Sequence, residues 1–213
     1  MKIAIIGATG YVGSKLLAEA LARKHQVTAL VSRPERVPAN PLVRTEKTDV
    51  LDSSALARQL QGYDVVITAF SGHAHGEQTY DYYVRGFQSI IAAAKQAQVK
   101  RLLVVGGAGS LEVAPGVQAV DTPEFPDQWK QSALGAREAL NLLRQEPALN
   151  WSMLSPAANL VPGQRTGQFR LGKDQMLADA EGRSQISVED YAVAMLNEAE
   201  DEQHPRGRFT VAY

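Results

Sequence analysis

The chain has 213 residues, of which 45% are hydrophobic and 21% are charged, and its formal net charge is −1. This balance argues against nucleic acid or a membrane surface as a partner, and the absence of cysteine excludes a disulfide framework, a thiol nucleophile and a thiolate metal site. No apolar run approaches the roughly 20 residues that span a bilayer, and the first residues form a strand-like run rather than a signal peptide, so we expect a cytoplasmic protein.

The first predicted strand is followed directly by a glycine-rich turn. Residues 3–6 form a short apolar run, Gly7, Gly10 and Gly13 follow at a spacing of three, and apolar residues at helical spacing begin with Val12. A strand, a glycine turn and a helix in this order are typical of dinucleotide-binding folds. Gly7 would permit the tight turn, and Gly10 would let the backbone approach a pyrophosphate. Gly13 would allow the helix to pack closely on its strand.

The start of this first predicted helix offers a site for phosphate groups. Backbone N–H groups in a first helical turn lack partners within the helix, and the helix dipole adds partial positive charge there. We therefore predict that the turn holds the pyrophosphate of a dinucleotide. The predicted contacts in this stretch are Gly7, Thr9, Gly10, Tyr11, Val12 and Gly13.

Strand-like runs alternate with helix-like runs along the rest of the chain. The strand-like runs lie at residues 26–31, 43–48, 64–70, 101–105, 151–156 and 208–213, and the helix-like runs at 53–61, 79–98, 128–145 and from 187 onward. This alternation favours a doubly wound Rossmann fold of the α/β class, with a mostly parallel sheet and helices on both faces. We expect residues 1–213 to form a single domain.

Two of the helix starts carry capping residues. Asp52 or Ser53 precedes the second helix, which Gly62 would end. Ser187 and Asp190 have the spacing of a capping box, in which each side chain bonds the backbone N–H of the other residue, with aspartate in place of the usual glutamate.

Two segments lack regular periodicity. Residues 112–127 hold three prolines and are predicted to form a loop or lid, whereas residues 157–185 are rich in glycine, arginine and polar residues. We assign 112–130 and 157–185 to the substrate side of the domain.

The residues after the second strand indicate which nucleotide binds. An acidic residue there accepts hydrogen bonds from the 2′-hydroxyl of NAD, whereas this chain has Ser32 and Arg33, with Arg36 soon after. A hydroxyl and a guanidinium can hold a 2′-phosphate through charge-assisted hydrogen bonds. NADP is therefore the favoured cofactor and NAD the alternative, unless the two arginines are only solvated loop charges.

Asp49 and Val50 follow the third strand and are predicted to lie near the adenine. The Asp49 carboxylate could accept a hydrogen bond from the adenine amino group, or it could simply close a turn. The sequence leaves both roles open.

Further motifs accompany the later strands. They are Ala69-Phe70-Ser71-Gly72 and residues 99–102, 150–156 and 186–192. Together with the glycine turn and Asp49-Val50, they resemble the atypical short-chain dehydrogenase/reductases that bind NAD(P)H, over essentially the whole chain. Residues 106–111 and 162–167 resemble in particular the bacterial NADH-flavin reductase group, which is related to biliverdin reductase B.

This resemblance implies which residues line the nicotinamide half of the cofactor. They are Ala69, Phe70, Ser71, Gly72, Gly106 and Gly107. It also implies a role for Ser110, since the superfamily often keeps a serine that hydrogen-bonds the substrate after the fifth strand. A plain turn serine is the alternative.

The chain departs from the larger superfamily at its acid–base pair. Dehydrogenases of that superfamily use Tyr-x-x-x-Lys on the helix after the fifth strand, and those places fall near Ser132 and Ala136 here. Trp129 and Lys130 are the nearest aromatic and cationic pair, and their spacing is wrong. Without a dedicated acid, the fitting substrates are flavins, quinones and linear tetrapyrroles, which are flat and conjugated and take protons from solvent.

Two other functions stay open beside this reductase. One is a non-catalytic NADP(H)-binding sensor like the NmrA-like regulators, and a weaker one is a sugar-nucleotide epimerase or dehydratase. We expect a small-molecule substrate and a monomer or homodimer.

His73 and His75 follow the fourth strand, on the predicted nicotinamide side. Two histidines at this spacing can bind a metal, but no third ligand is evident, so we expect no metal site. His73 is a candidate proton donor or substrate contact and, with Ser110, a candidate catalytic residue. Both histidines are equally interpreted as ordinary loop residues.

Overall fold

Short apolar runs build the central strands, and both of their faces are buried. The computed structural model describes residues 1–72 and 78–213. Its strands are β1 (Lys2–Ile6), β2 (Gln26–Val31), β3 (Val43–Lys47), β4 (Val65–Thr68), β5 (Leu102–Val105), β6 (Glu112–Ala114), β7 (Val117–Gln118), β8 (Trp151–Pro156), β9 (Asn159–Val161), β10 (Arg170–Gly172), β11 (Gln185–Ser187) and β12 (Gly207–Ala212). Its α-helices are α1 (Tyr11–Ala22), α2 (Ser53–Gln59), α3 (Thr79–Gln96), α4 (Asp127–Arg144) and α5 (Val188–Glu200).

One large sheet holds eight of these strands, in the order β10-β12-β8-β5-β4-β1-β2-β3. Neighbouring strands are parallel throughout, except that β10 runs antiparallel to β12. Strands β9 and β11 form a small parallel pair, and β6 and β7 form an antiparallel hairpin. This topology confirms the predicted doubly wound Rossmann fold.

The side chains of β1 show how the sheet is covered on both faces. Ile3 and Ile5 belong to the apolar core beneath α1 and α5, whereas Ala4 and Ile6 belong to the core beneath α2, α3 and α4. Because successive side chains of a strand point to opposite faces, an uninterrupted apolar run is what a strand between two helix layers requires.

The capping residues are only partly as predicted. Asp52 caps α2 by accepting a hydrogen bond from the Ala55 N–H at 2.9 Å. Ser187 caps α5 by accepting from the Asp190 N–H at 3.0 Å, but the Ser187 N–H donates to the Tyr213 hydroxyl rather than to Asp190. Half of the predicted capping box is therefore absent, because the Asp190 carboxylate has other partners.

Residues 112–127 contain regular structure, contrary to the predicted loop or lid. They form the β6–β7 hairpin and a short 3-10 turn over Ala119–Asp121. The Arg137 guanidinium of α4 donates to both carboxylate oxygens of Asp121 at 2.9 Å. Strands of three and two residues are too short for a periodic pattern to be recognised in the sequence.

Residues 163–167, which we call the strap, lie against α1 and α5. The carboxylate of buried Asp190 accepts hydrogen bonds from the backbone N–H groups of Thr166 and Gly167 and from the Thr166 hydroxyl, at 2.6–2.8 Å. It also accepts one from the Tyr213 hydroxyl at 2.8 Å. Arg165 makes a bidentate ion pair with Glu19 at 2.7 Å. Burial acts to raise the pKa of Asp190, but these hydrogen bonds outweigh it and hold the pKa below its ordinary value.

Replacing Asp190 with asparagine is expected to lower the free energy of unfolding at neutral pH by at least about 1 kcal/mol, because none of the four hydrogen bonds to the carboxylate stays charge-assisted. A lowered pKa in the folded state means that the carboxylate stabilises the protein above the ordinary aspartate pKa, and that this contribution disappears as the pH falls through that range. Urea unfolding between about pH 3 and 7 should therefore show a shallower acid-induced loss of stability in the variant.

The control is Asp201→Asn, at the exposed far end of the same helix, which should change the stability by less than about 0.5 kcal/mol. An equally steep loss of stability at low pH in the Asp190 variant and the parent would contradict the prediction.

Candidate cofactor site

The predicted cofactor residues of the described chain lie at one edge of the sheet. Parallel strands bring their carboxyl ends to the same edge of the sheet. The predicted contacts follow the first five strands in turn: Gly7 after β1, Ser32-Arg33 after β2, Asp49-Val50 after β3, residues 69–72 after β4 and residues 106–107 after β5. The strand order reverses between β1 and β4, with helices on opposite faces. Such a switch point opens a crevice at the carboxyl edge, which is where doubly wound folds bind ligands.

Two of the three glycines are required by the turn itself. Gly7 has a φ of +80°, and its N–H donates to the Leu30 carbonyl at 2.9 Å, which ties the turn to β2. A Cβ atom added to Gly13 would lie 2.0 Å from the Gly7 carbonyl oxygen. Gly13 therefore lets α1 approach the turn, and no other residue fits there.

Gly10 differs, because it faces the surface. A Cβ atom added to it would contact only the Gly7 carbonyl oxygen, at 3.3 Å, and the residue is exposed. Gly10 is also the N-cap of α1, where no side chain caps the helix and the first turn holds no acidic residue. This combination of an open backbone approach and an uncapped helix start fits a dinucleotide pyrophosphate.

The other predicted contacts of the turn surround this opening. Thr9 and Val12 are half-buried, and the Val12 side chain packs against the core beneath α1. Tyr11 is 52% exposed, and its hydroxyl donates to the Leu160 carbonyl at 3.3 Å.

A free cation lies at the end of β2. Ser32 and Arg33 are both exposed, and Arg33 begins the short 3-10 turn Pro34–Arg36. Within residues 1–72 and 78–213, no hydrogen bond or ion pair engages the guanidinium of Arg33 or that of Arg36. An unpaired guanidinium beside an exposed hydroxyl fits a phosphate group.

Asp49 has a role within its own turn. Its carboxylate accepts a hydrogen bond from the Leu51 N–H at 2.9 Å, and the residue is exposed. Burial, followed by the negative charge of Asp49, raises the pKa of Tyr82, so the carboxylate also lies near the start of α3. Val50 packs against the core beneath α2 and α3. A contact between Asp49 and the adenine stays a prediction.

The Phe70 ring packs against the start of α3. It packs in an aromatic cluster with Tyr82 and Tyr83, at centroid distances of 5.5 and 5.7 Å, and a Cβ atom added to Gly86 would lie 2.3 Å from the ring. Side chains and backbone of α3 therefore hold the Phe70 ring, and a contact with a cofactor stays a prediction.

The neighbours of Phe70 complete the end of β4. Ala69 is half-buried and bonds to β1 through its N–H, Ser71 is exposed, and Gly72 is buried against the Thr79 carbonyl. The candidate proton donors His73 and His75 lie outside the described residues.

The end of β5 lies against alanines of α4. A Cβ atom added to Gly107 would lie 3.0 Å from the Ala136 Cβ, and one added to Gly109 would lie 2.8 Å from the Ala133 Cβ. Ser132 is buried, and its hydroxyl donates to the carbonyl of Trp129 in its own helix. The side chains of α4 that face the end of β5 are therefore the methyl groups of Ala133 and Ala136, and the neighbouring Ser132 hydroxyl is bonded within its own helix.

Comparison with known proteins identifies the family. The sequence model of a family described as NAD(P)H-binding matches residues 7–200. The chain belongs to this NAD(P)H-binding family.

Three relatives are similar over essentially their whole lengths. YwnB of Bacillus subtilis (strain 168), described as uncharacterized, is 42% identical over 99% of this chain and 98% of its own. A Bacteroides thetaiotaomicron structure, provisionally described as an epimerase, is 43% identical with a TM-score of 0.94 and covers 100% of this chain and 96% of its own. A Streptococcus pneumoniae TIGR4 structure, provisionally described as an NADH-flavin reductase, is 33% identical with a TM-score of 0.88 and covers 100% of this chain and 99% of its own.

Ser110 of this NAD(P)H-binding chain is buried beneath the turn after β5. Only 2% of the residue is exposed, and its hydroxyl oxygen accepts a hydrogen bond from the Arg208 guanidinium at 3.3 Å. Arg208 is itself buried and donates to Asp174 at 2.9 Å. The structure thus gives the Ser110 hydroxyl an internal partner, and a substrate contact through it stays a prediction.

Sequence reasoning assigned residues 157–185 to the substrate side but did not predict a contact of Leu160 with the glycine turn. Because β8 lies next to β5, residues 157–161 leave the sheet at the same edge as the glycine turn, and Leu160 contacts Tyr11 there. The signal was available, since a buried strand ending at Pro156 predicts that the following residues reach this edge.

A cleft of about 600 Å³ lies beside the β6–β7 hairpin, between it and the outer flank of α4. Its lining includes Tyr80, Glu112, Gln118, Asp121, Arg137 and Asn141, and none of its residues is a predicted cofactor contact. Among the described residues no group of three His, Asp or Glu side chains could hold a metal ion, and none of the described helices is long and apolar enough to cross a membrane.

Proposed function

We propose that this chain is an NADPH-dependent reductase whose acceptor is a flat, conjugated molecule such as a flavin, a quinone or a linear tetrapyrrole. Membership of the NAD(P)H-binding family supports nucleotide binding, and the 33% identical relative described as an NADH-flavin reductase supports the acceptor class. The observation that carries the proposal is that Ala136 of α4 lies against the turn after β5, because the resemblance puts the acid–base pair of the larger superfamily near Ser132 and Ala136.

The residues that would hold the nucleotide divide into two groups. The uncapped start of α1 and the open side of Gly10 would bind the pyrophosphate. Ser32 and the free guanidinium of Arg33 would bind the 2′-phosphate of NADPH. When bound, NADPH supplies the reducing equivalents.

The protein's own contribution is positioning. Since Ala136 carries no titratable group and the Ser132 hydroxyl donates to the Trp129 carbonyl of its own helix, neither of these two described positions of α4 offers a proton donor. A conjugated acceptor spreads the incoming charge over its rings and takes its proton from water, so proximity and orientation suffice. A simple carbonyl would need an acid at its oxygen as the reaction proceeds.

The turnover of FMN or a quinone is expected to be nearly independent of pH between about 6 and 8, and simple aldehydes and ketones should be poor substrates. Steady-state NADPH oxidation in the presence of each acceptor measures both properties. Ser110→Ala would remove the predicted hydrogen bond from the hydroxyl to the substrate, and it should slow turnover by no more than roughly tenfold.

His73→Ala and His75→Ala serve as the matched controls for this pH profile. A steep fall in rate with an apparent pKa near 6.5 that vanishes in one histidine variant would replace solvent protonation with acid catalysis by that residue. Tight NADPH binding without turnover of FMN or any quinone would instead favour the non-catalytic sensor.

A further inference from the structure

The strap is held against α1 and α5 by hydrogen bonds and an ion pair. All five of its residues are anchored to α1, to α5 or to the N-cap of α5. Gly163 donates to Glu189, the Gln164 carbonyl accepts from Ser187, Arg165 pairs with Glu19, and Thr166 and Gly167 donate to Asp190. Glu189 also pairs with Lys15 of α1 at 3.0 Å. Movement of the strap as a lid would break several charged contacts together, whereas rotation of a single neighbouring side chain would not.

Tyr11 supplies a single contact that can open on its own. Its ring is 52% exposed, and the 3.3 Å distance from its hydroxyl to the Leu160 carbonyl is long for an O–H···O hydrogen bond. Burial and the charge of Glu189 raise the pKa of Tyr11, so the hydroxyl keeps its proton and can donate at neutral pH. Rotation of one surface side chain breaks this bond and leaves the backbone in place.

The contact also joins the two sides of the crevice. Tyr11 is the first residue of α1 and follows Gly10, whereas Leu160 belongs to β9, just after β8. In the sheet, β4 and β5 lie between β1 and β8. A dinucleotide running from the glycine turn towards the ends of β4 and β5 must therefore pass beside the Tyr11–Leu160 bridge.

We propose that the Tyr11 side chain is a gate for the dinucleotide, closed by its hydroxyl on the Leu160 carbonyl and opened by rotation of the ring. This inference rests on the proposed function, because it requires a dinucleotide at the glycine turn. The hydroxyl closes the path, and the pairing of β9 with β11 keeps the Leu160 carbonyl in position.

A gate has a kinetic signature that a binding contact lacks. The bridge forms without any nucleotide, so the path is closed in the free protein and must open for entry as well as for exit. Removing the hydroxyl should therefore raise the association and dissociation rate constants by similar factors and leave Kd nearly unchanged. A residue that only contacts the bound nucleotide would change the dissociation rate alone.

The test is stopped-flow fluorescence of NADPH binding to Tyr11→Phe, which keeps the ring and loses the hydroxyl. We expect both rate constants to rise by about three- to tenfold, the range of one neutral hydrogen bond, with Kd within about twofold of the parent value. Tyr63→Phe is the matched control, since Tyr63 lies just before β4 at the opposite edge of the sheet and should leave both rates unchanged. Thermal melts of both variants report whether the fold is retained.

Three outcomes would overturn the gate. Unchanged rates in folded Tyr11→Phe would show that the bridge does not obstruct the path, and a rise in the dissociation rate alone would make Tyr11 a binding contact. Absence of NADPH binding in the unmodified protein would overturn the proposed function itself, and the gate with it.

Discussion

Gly10→Val is expected to abolish NADPH binding, weakening it by more than about 100-fold, while the protein still folds. The valine side chain would project from the N-cap of α1 into the space that the pyrophosphate needs, and would cover the uncapped N–H groups behind it. The fold should survive because a Cβ atom at this position meets only the Gly7 carbonyl oxygen, at 3.3 Å. Circular dichroism and a fluorescence titration with NADPH measure the two effects separately.

Gly207→Val is the matched control for this substitution. Gly207 begins β12, where a Cβ atom would have ordinary contacts of 3.6 Å or more and valine suits a strand. This variant should fold and bind NADPH like the parent. Retained NADPH binding in a folded Gly10→Val protein would show that the nucleotide binds elsewhere.

Arg33→Ala is expected to weaken NADPH binding by roughly ten- to a hundredfold and to leave NADH binding within about twofold. The guanidinium is exposed and has no partner among the described residues, so its loss should disturb no contact of the folded protein. Only NADPH carries the 2′-phosphate that this cation would bind. Isothermal titration calorimetry with both nucleotides measures the selectivity directly.

The control is Arg58→Ala, because Arg58 is likewise exposed but lies in the last turn of α2. It should leave both affinities unchanged, and raised salt should weaken NADPH binding to the parent more than to Arg33→Ala. Equal affinities of the unmodified protein for NADPH and NADH would contradict the assignment of Arg33.

The sheet could be predicted from the sequence because its signals are local. Strands such as β2 and β8 begin and end at the predicted residues, and Gly7 and Gly13 stand where the first turn requires glycine. The hairpin after Ser110 escaped prediction because strands of two or three residues carry no periodicity.

The details of the candidate site depend on contacts between distant parts of the chain. The hydrogen bond between Ser110 and Arg208 joins residues 98 apart, and the Phe70 ring is placed by the absence of a side chain at Gly86. Asp190 has the spacing of a capping residue but bonds to Thr166, 24 residues earlier, because that partner is brought to it only by the fold. Residue types indicate what a side chain can do, whereas its partner is decided by tertiary packing.

The pairing of α1 with α5 has a consequence for synthesis of the chain on the ribosome. The apolar face formed by Ile3, Ile5 and Leu16 is completed by Tyr191 and Met195, which are translated near the end. Until α5 emerges, a nascent chain that has already formed β1 and α1 keeps this apolar surface uncovered, and incompletely covered intermediates of this kind are prone to aggregate. The core beneath α2, α3 and α4 can therefore form while the later part of the chain is still being translated, whereas the core beneath α1 and α5 is covered only after α5 has been synthesised.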